Sequence, residues 1–225
     1  ELLKVQWSDS PLTGFDSDEL AKIQAAALTD KGAQRVSAMA AGDVSGQWPN
    51  AAKLLEADYR MPYKVQNPLE PICITAQVKD GAITYWGGVQ VPSSALEAAQ
   101  TVCRIAKDKV TINEMVSGGS FGAREAKYWL FEVAYLAQQA RVPVKLMNSR
   151  EDEMRSLFMH PATLHRAKGA LNAEGRLTAL QLEAVSPASP EQWEPGYFER
   201  PDKMDYSTTE AITAWDFAYR PANLD

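Results

Sequence analysis

The sequence predicts an α+β fold: mixed, mostly antiparallel sheets with helices packed on one side. Three observations carry that expectation. Short segments of alternating apolar and polar residues recur through the middle of the chain and are joined by tight turns. Segments with apolar residues at helical spacing lie between them. Apolar residues make up 45% of the 225 positions and charged residues 23%, proportions of a chain that buries a core.

The elements follow in order. Residues 14–18 read as a turn and cap, with Ser17 as N-cap, and Leu20, Ile23, Ala27 and Leu28 then recur at helical spacing. Gly42, Asp43 and Gly46 break the chain, and a second short helix is expected over 51–55. Residues 59–63 are expected to be extended, because Pro62 disfavours the helical region for its predecessor. Residues 73–78 alternate as a strand, Asp80-Gly81 supplies a two-residue hairpin turn, and 83–86 return. Ser93 or Ser94 is expected to cap a helix carrying Leu96, Ala99, Val102, Cys103 and Ala106. Val110, Ile112 and Met115 mark another strand, followed by a glycine-rich loop. A long helix is expected over 124–139, with Trp129, Val133 and Leu136 on its buried stripe. Residues 142–146 read as a strand, and 165–171 with 177–185 as a second hairpin around the turn at 172–175.

Composition divides the chain into an N-terminal segment (1–50) joining a preceding domain, a middle domain (51–186) and a tail (187–225). The middle block alone has a positive net charge. The tail holds seven aromatics (Trp193, Tyr197, Phe198, Tyr206, Trp215, Phe217, Tyr219) with one Ile, one Leu and no Val, so it is expected to cover a surface elsewhere. Both ends read as cut, marking an excised piece of something larger.

Several function classes are excluded. The net charge of −6 leaves no basic excess for nucleic acid. No apolar stretch approaches the roughly 18 residues a membrane span needs. Cys73 and Cys103 form no CxxC pair and are expected to be buried thiols. His160 and His165 are five positions apart with Pro161 between them, so no metal held by protein side chains is expected. Ser120 lies in GGSFG rather than GxSxG, which argues against a hydrolase elbow.

The sharpest motif is strand, then Gly118-Gly119-Ser120-Phe121-Gly122-Ala123-Arg124-Glu125, then helix. Backbone amides of a glycine-rich turn before a helix suit a nucleotide phosphate, a dinucleotide pyrophosphate or another oxygen-rich cofactor. A P-loop would need Lys-Ser/Thr after the last glycine, and a dinucleotide fingerprint would need GxGxxG; neither is present. The alternative is a helix-start turn with no ligand. Glu125 is expected in the helix's first turn, as a capping acid or a pocket residue that shares a substrate proton. Gln90, in a loop bounded by Gly87-Gly88 and Pro92, is an uncharged donor or a surface amide.

These residues resemble the molybdenum hydroxylases, the xanthine dehydrogenase and aldehyde oxidase family. The loop is similar to that family's GGGFGGKE, with Ser120 and Ala123 in place of glycines. Residues 66–76 resemble its HxxxEPxxxxA strand, with Gln66 at the histidine; Ser149 to Met154 resemble its TRED segment, and Met159-His160-Pro161 the step after it. Trp7 to Pro11 and Gly42-Asp43-Val44 look most like the branch of the isoquinoline 1-oxidoreductase β-subunit and membrane-bound aldehyde dehydrogenase. The resemblance implies a molybdopterin cofactor, in its cytosine dinucleotide form, and oxidative hydroxylation of aldehydes or N-heterocycles with water as oxygen source. It implies a [2Fe–2S] small subunit, a cytochrome c partner, and a periplasmic or membrane-associated location through partners, with a cytoplasmic one as the alternative. It places Gln90, Gly118, Gly119, Ser120, Phe121, Gly122, Ala123 and Arg124 at the cofactor and Glu125 facing a small-molecule substrate. The family's catalytic base lies in a second cofactor-binding half outside these 225 residues, so the piece alone is expected to be inactive and to bind no molybdenum. The competing expectation is a cofactor-free interaction or scaffold domain that retains the fold.

Overall fold

The computed structural model describes residues 4, 6, 8–156, 159–187, 196–201, 203–205, 208 and 220–225. In chain order the elements are α1 (Ser17–Thr29), β1 (Lys53–Met61), β2 (Cys73–Lys79), β3 (Ala82–Gly87), α2 (Pro92–Cys103), β4 (Val110–Glu114), α3 (Tyr128–Ala140), β5 (Val144–Met147), α4 (Arg150–Ser156), β6 (Thr163–Leu171), β7 (Leu177–Val185) and β8 (Asn223–Leu224). Among the described residues no helix is long and apolar enough to cross a membrane. The α+β class is observed, as two four-stranded sheets in two units: residues 64–160, and residues 1–63 with 161–225. The hairpin of β6 and β7, grouped by composition with the middle of the chain, therefore packs with the N-terminal segment.

In the discontinuous unit the sheet runs β1-β6-β7-β8, antiparallel except for the β7/β8 pair. The helix expected over 51–55 is instead the start of β1. Nine consecutive residues of β1 pair with β6, and Ala52 N–H adds a bond to Leu171 C=O at 2.9 Å. That long-range ladder outweighs the weak local preference for helix. The cap of α1 is Asp16, not Ser17: its Oδ1 accepts from Asp18 N at 3.0 Å and Glu19 N at 2.9 Å. Ile23 lies half-exposed; the buried positions of α1 are Gln24 and Leu28, and Gln24 Nε2 donates to Ala162 C=O at 2.8 Å. Gly42 is obligatory: a Cβ there would sit 2.7 Å from Ala222 C=O, where β8 returns beside Ala41. Of the tail's aromatics, Tyr197 is buried. Trp193, Tyr206, Trp215, Phe217, Tyr219 and the Phe198 side chain lie outside the described residues, as does Trp7.

Across β1 and β6, Arg166 grips Asp58 with two bonds, Nε–Oδ1 at 2.8 Å and NH2–Oδ2 at 2.9 Å. The hydrogen bond from Arg166 holds the Asp58 carboxyl below its ordinary pKa. A carboxyl depressed in the folded state stabilises above its unfolded pKa, about 4, and loses that contribution as pH falls through its folded value. Urea midpoints measured at decreasing pH should therefore fall less steeply on the acid side for Asp58→Asn than for the parent. Parallel profiles would remove the pair from the pH dependence.

The continuous unit, 64–160, has the sheet β4-β3-β2-β5 with α2 and α3 packed together against it. Asp80 (φ 51°) and Gly81 (φ 74°) both take the left-handed conformation that a two-residue hairpin turn demands. Ile74, Ile83, Tyr85, Trp129 and Val133 centre the core, and the alanines of α2 (Ala95, Ala98, Ala99) and α3 (Ala134, Ala137) face into it. α2 has Pro92 in its first turn and no side-chain cap from Ser93 or Ser94; it ends at Cys103, before Ala106. α3 starts at Tyr128, four residues later than the expected Arg124, and Leu136 is 40% exposed while Leu130 is buried. Cys103 is buried and Cys73 only half-buried.

Candidate functional site

One end of the β4-β3-β2-β5 sheet collects four separate loops, and the register explains why. Cys73 opposes Met147, Ile74 opposes Gly87, and Gly87 opposes Glu114. β3 and β4 are parallel, so both end there; β5, antiparallel to β2, ends there too; and β2 begins there. The lead-in 66–72, the turn 88–91, the glycine loop 115–127 and the start of α4 thus meet at one edge. In open sheets such strand ends are where ligands are bound.

The glycine loop is tied down at its base. Glu70 Oε2 accepts from Gly118 N at 2.7 Å and from Arg124 NH2 at 3.0 Å. Arg124 also donates from Nε to Gly119 C=O at 2.9 Å and from NH2 to Glu70 C=O at 3.1 Å. The Arg124 side chain is 2% exposed, and Ala123 beside it is equally buried. These two residues, expected at the cofactor, form the floor of the loop. A Cβ on Gly118 would approach Glu70 Cβ to 2.7 Å, and one on Gly88 would approach Ser117 Cβ to 2.5 Å, so both glycines permit close contact between loops. α4 braces the lead-in: Arg150 NH2 donates to Pro68 C=O at 2.6 Å and Leu69 C=O at 3.2 Å, and Arg150 NH1 bonds Asn67. Glu153, fully buried, accepts from Ile72 N and pairs with Arg150 NH1 at 2.7 Å.

The upper face of the loop is open. Gly119 (φ 97°), Phe121 (φ 53°) and Gly122 (φ 88°) all adopt left-handed conformations, and the Phe121 ring is 68% exposed. A left-handed phenylalanine costs about 1–2 kcal/mol, a strain characteristic of ligand-binding turns. Among the described residues, the amides of Gly119, Ser120, Phe121 and Gly122 donate to no protein group. Four consecutive unengaged donors in a turn of this kind suit an oxygen-rich anion. The residues present therefore fit a cofactor bearing oxo and phosphate oxygens.

Gln90 and Glu125 stand at the rim, both exposed. Gln90 Nε2 donates to Glu125 Oε1 at 2.8 Å, Ser120 Oγ donates to Gln90 Oε1, and Arg124 N donates to Ser120 Oγ at 3.0 Å. Glu125 is not in the first turn of a helix. It precedes Tyr128 by three positions, in a turn closed by Glu125 N to Gly122 C=O at 3.1 Å, so it is not one of the first-turn residues of the helix. Burial, followed by the charges of Glu132 and Glu153, pushes the Tyr128 phenol up to about 12. His160 is occupied in a backbone bridge with Lys64.

Glu70, Arg150 and Glu153 had no role in the sequence reading, although they lie in the segments that carry the resemblance. Only the sheet register shows that the segments converge. Glu114 was missed similarly: its Oε1 accepts from Val89 N at 2.8 Å and fixes the turn that carries Gln90.

Known proteins resemble this chain in sequence and in fold. A nicotinate dehydrogenase subunit of Pseudomonas putida is 27% identical over 187 residues, covering 83% of this chain and 15% of the relative. The membrane-bound aldehyde dehydrogenase [pyrroloquinoline-quinone] of Gluconacetobacter polyoxogenes is 25% identical over 195 residues, covering 83% of this chain and 24% of the relative. The chain thus spans less than a quarter of either relative's length. The aldehyde oxidoreductase of Desulfovibrio gigas has a similar fold over 66% of this chain and 16% of its own, with a TM-score of 0.58 at 20% identity. The family model of the molybdopterin cofactor-binding domain matches residues 28–200, which include every loop at this sheet edge, and the chain belongs to that family, the cofactor-binding domain of molybdenum hydroxylase large subunits.

Proposed function

We propose that this chain is the first cofactor-binding half of the large subunit of a molybdenum oxidoreductase that hydroxylates aldehydes or N-heterocycles with water as oxygen source. The observation that supports it is the open row of amides at 119–122, flanked by Gln90 and Glu125 at one sheet edge. The relatives named for nicotinate and for aldehyde oxidation favour those two substrate classes.

Molybdopterin, as the cytosine dinucleotide, would supply the redox centre when bound. The chain's own contributions are binding and orientation. The amides of residues 119–122 donate to oxygen atoms of the bound group, and Gln90 offers a neutral N–H donor beside them. Phe121 walls the loop with an exposed ring. Glu125 accepts a hydrogen bond from substrate and orients it, with no part in initiating attack. A [2Fe–2S] small subunit and a cytochrome c partner would accept the electrons, at a periplasmic or membrane-associated location set by those partners. The activity belongs to the full subunit; residues 1–225 alone are proposed to be inactive.

Metal analysis of the full-length subunit, purified with its partner, tests the proposal. Stoichiometric molybdenum and releasable cytidine nucleotide are expected. Their absence from a folded complex would leave a scaffold domain instead. In the active complex, Glu125→Gln should lower kcat/KM by about tenfold or more, the loss of one charge-assisted hydrogen bond, and unequally for aldehyde and heterocycle. An unchanged kcat/KM with both classes would reduce Glu125 to a turn residue.

A further inference from the structure

We infer that Ser120 is a positioning residue whose hydroxyl fixes the Gln90 amide so that an N–H, and not the C=O, is offered to a bound group. The inference rests on the proposed reading of this loop as a ligand cradle and names what orients its neutral donor.

The hydrogen-bond polarity is set at Glu125 and completed at Ser120. The Arg124 backbone N–H can only donate, and it does so to Ser120 Oγ at 3.0 Å. The Ser120 hydroxyl keeps its hydrogen and donates it to Gln90 Oε1. At the other end an ionised carboxylate can only accept, and Glu125 Oε1 takes one N–H of Gln90 Nε2 at 2.8 Å. The donation to Glu125 therefore assigns the amide orientation, and Ser120 engages the oxygen that orientation turns toward it. Gln90 Oε1 is engaged by Ser120, and Nε2 keeps a second N–H with no partner among the described residues.

An exposed glutamine held only by Glu125 would keep most of its rotamer freedom. The second anchor at Ser120 removes it before any ligand arrives, which lowers the ordering cost of binding. The ligand atom this arrangement accepts is a hydrogen-bond acceptor, such as an oxo or phosphate oxygen. A donor at that position would be left without a counterpart on Gln90.

The test is NMR of the isotopically labelled chain without ligand, with the Gln90 side-chain NH2 signals assigned by their loss in Gln90→Met. In the parent, the two protons should be well separated and exchange slowly with water. In Ser120→Ala the pair should move toward free-glutamine positions and exchange about fivefold faster, the effect of one neutral hydrogen bond. Ser120→Thr, which keeps the hydroxyl, should retain the parent pattern. Backbone signals of β2 to β5 provide the control for folding. Gln90 signals identical in parent and Ser120→Ala would overturn the inference, and so would Thr and Ala variants that behave alike. A shift at the Arg124 amide alone, with Gln90 unmoved, would assign Ser120 a purely structural role and overturn it equally. None of these readouts requires molybdenum, so failure of the cofactor reading and failure of the positioning role are separately visible.

Discussion

Glu153→Ala should destabilise residues 64–160 by about 3–5 kcal/mol, the range for removing one partner of a buried ion pair. Glu153 is fully buried although it stands in an acidic run, Glu151-Asp152-Glu153, that reads as solvent-facing. One oxygen accepts the Ile72 amide where the chain enters β2, and the other pairs with Arg150 at 2.7 Å. Its loss leaves the Ile72 N–H buried without an acceptor, about 1–3 kcal/mol by itself. It also removes the counter-charge of Arg150, which is itself 35% exposed and keeps its bonds to Pro68 and Leu69. Partial solvation of Arg150 holds the expected value near the lower end. Glu153→Gln keeps an acceptor for Ile72 but turns an NH2 toward the guanidinium, so it should lie between alanine and the parent. Urea unfolding of both variants, together with Arg150→Met and the double mutant, measures the coupling. A Glu153→Ala change below about 1 kcal/mol would mean that water reaches this site and the pair braces nothing.

The same residue shows where sequence reading reaches its limit. The hairpin of β2 and β3 was legible because Asp80-Gly81 is a local signal: both positions need left-handed backbone, and both residues tolerate it. The hairpin of β6 and β7 was legible for a similar reason, through the turn at 172–175. Residues 51–55 were misread because their strand is specified by β6, more than 100 residues later, and not by their own propensity. The start of α3 was misread because residues 121–125 form a tight turn whose left-handed Phe121 no local pattern announces. That error mattered most for the site, since it had put Glu125 in a first helical turn that begins three residues later. Gln90, Ser120 and Glu125 were named from the motif alone. Their mutual bonding was not legible, because it depends on β3 and β4 running parallel and ending at the same edge. Glu70 was invisible as an anchor for the same reason: its partners lie 48 and 54 positions away.

Glu70→Ala should cost about 2–3 kcal/mol and loosen the glycine loop. The Glu70 carboxylate is half-exposed, but the guanidinium it serves is not: Arg124 is 2% exposed against 42% for Glu70. Among the described residues Arg124 NH1 has no hydrogen-bond partner, so this cation is poorly compensated even in the parent chain. Removing Glu70 Oε2 leaves the charge with the carbonyls of Gly119 and Glu70 alone, and frees the Gly118 amide. A buried cation with only carbonyl partners is costly, whereas deleting both charges can be nearly neutral. Arg124→Met in the Glu70→Ala background should therefore recover a substantial part of the lost stability, although it removes a second side chain. This reversal separates an uncompensated charge from simple loss of packing, which would make the double variant worse. Amide exchange at residues 118–122 should speed up in Glu70→Ala and stay faster in the double variant, because neither restores the acceptor for Gly118. In the full-length subunit, molybdenum retention should follow the loop's order and not the stability: low in both variants, although only one is strongly destabilised. Full retention in the double variant would show that the loop holds its shape without Glu70, and that the carboxylate serves only to balance Arg124.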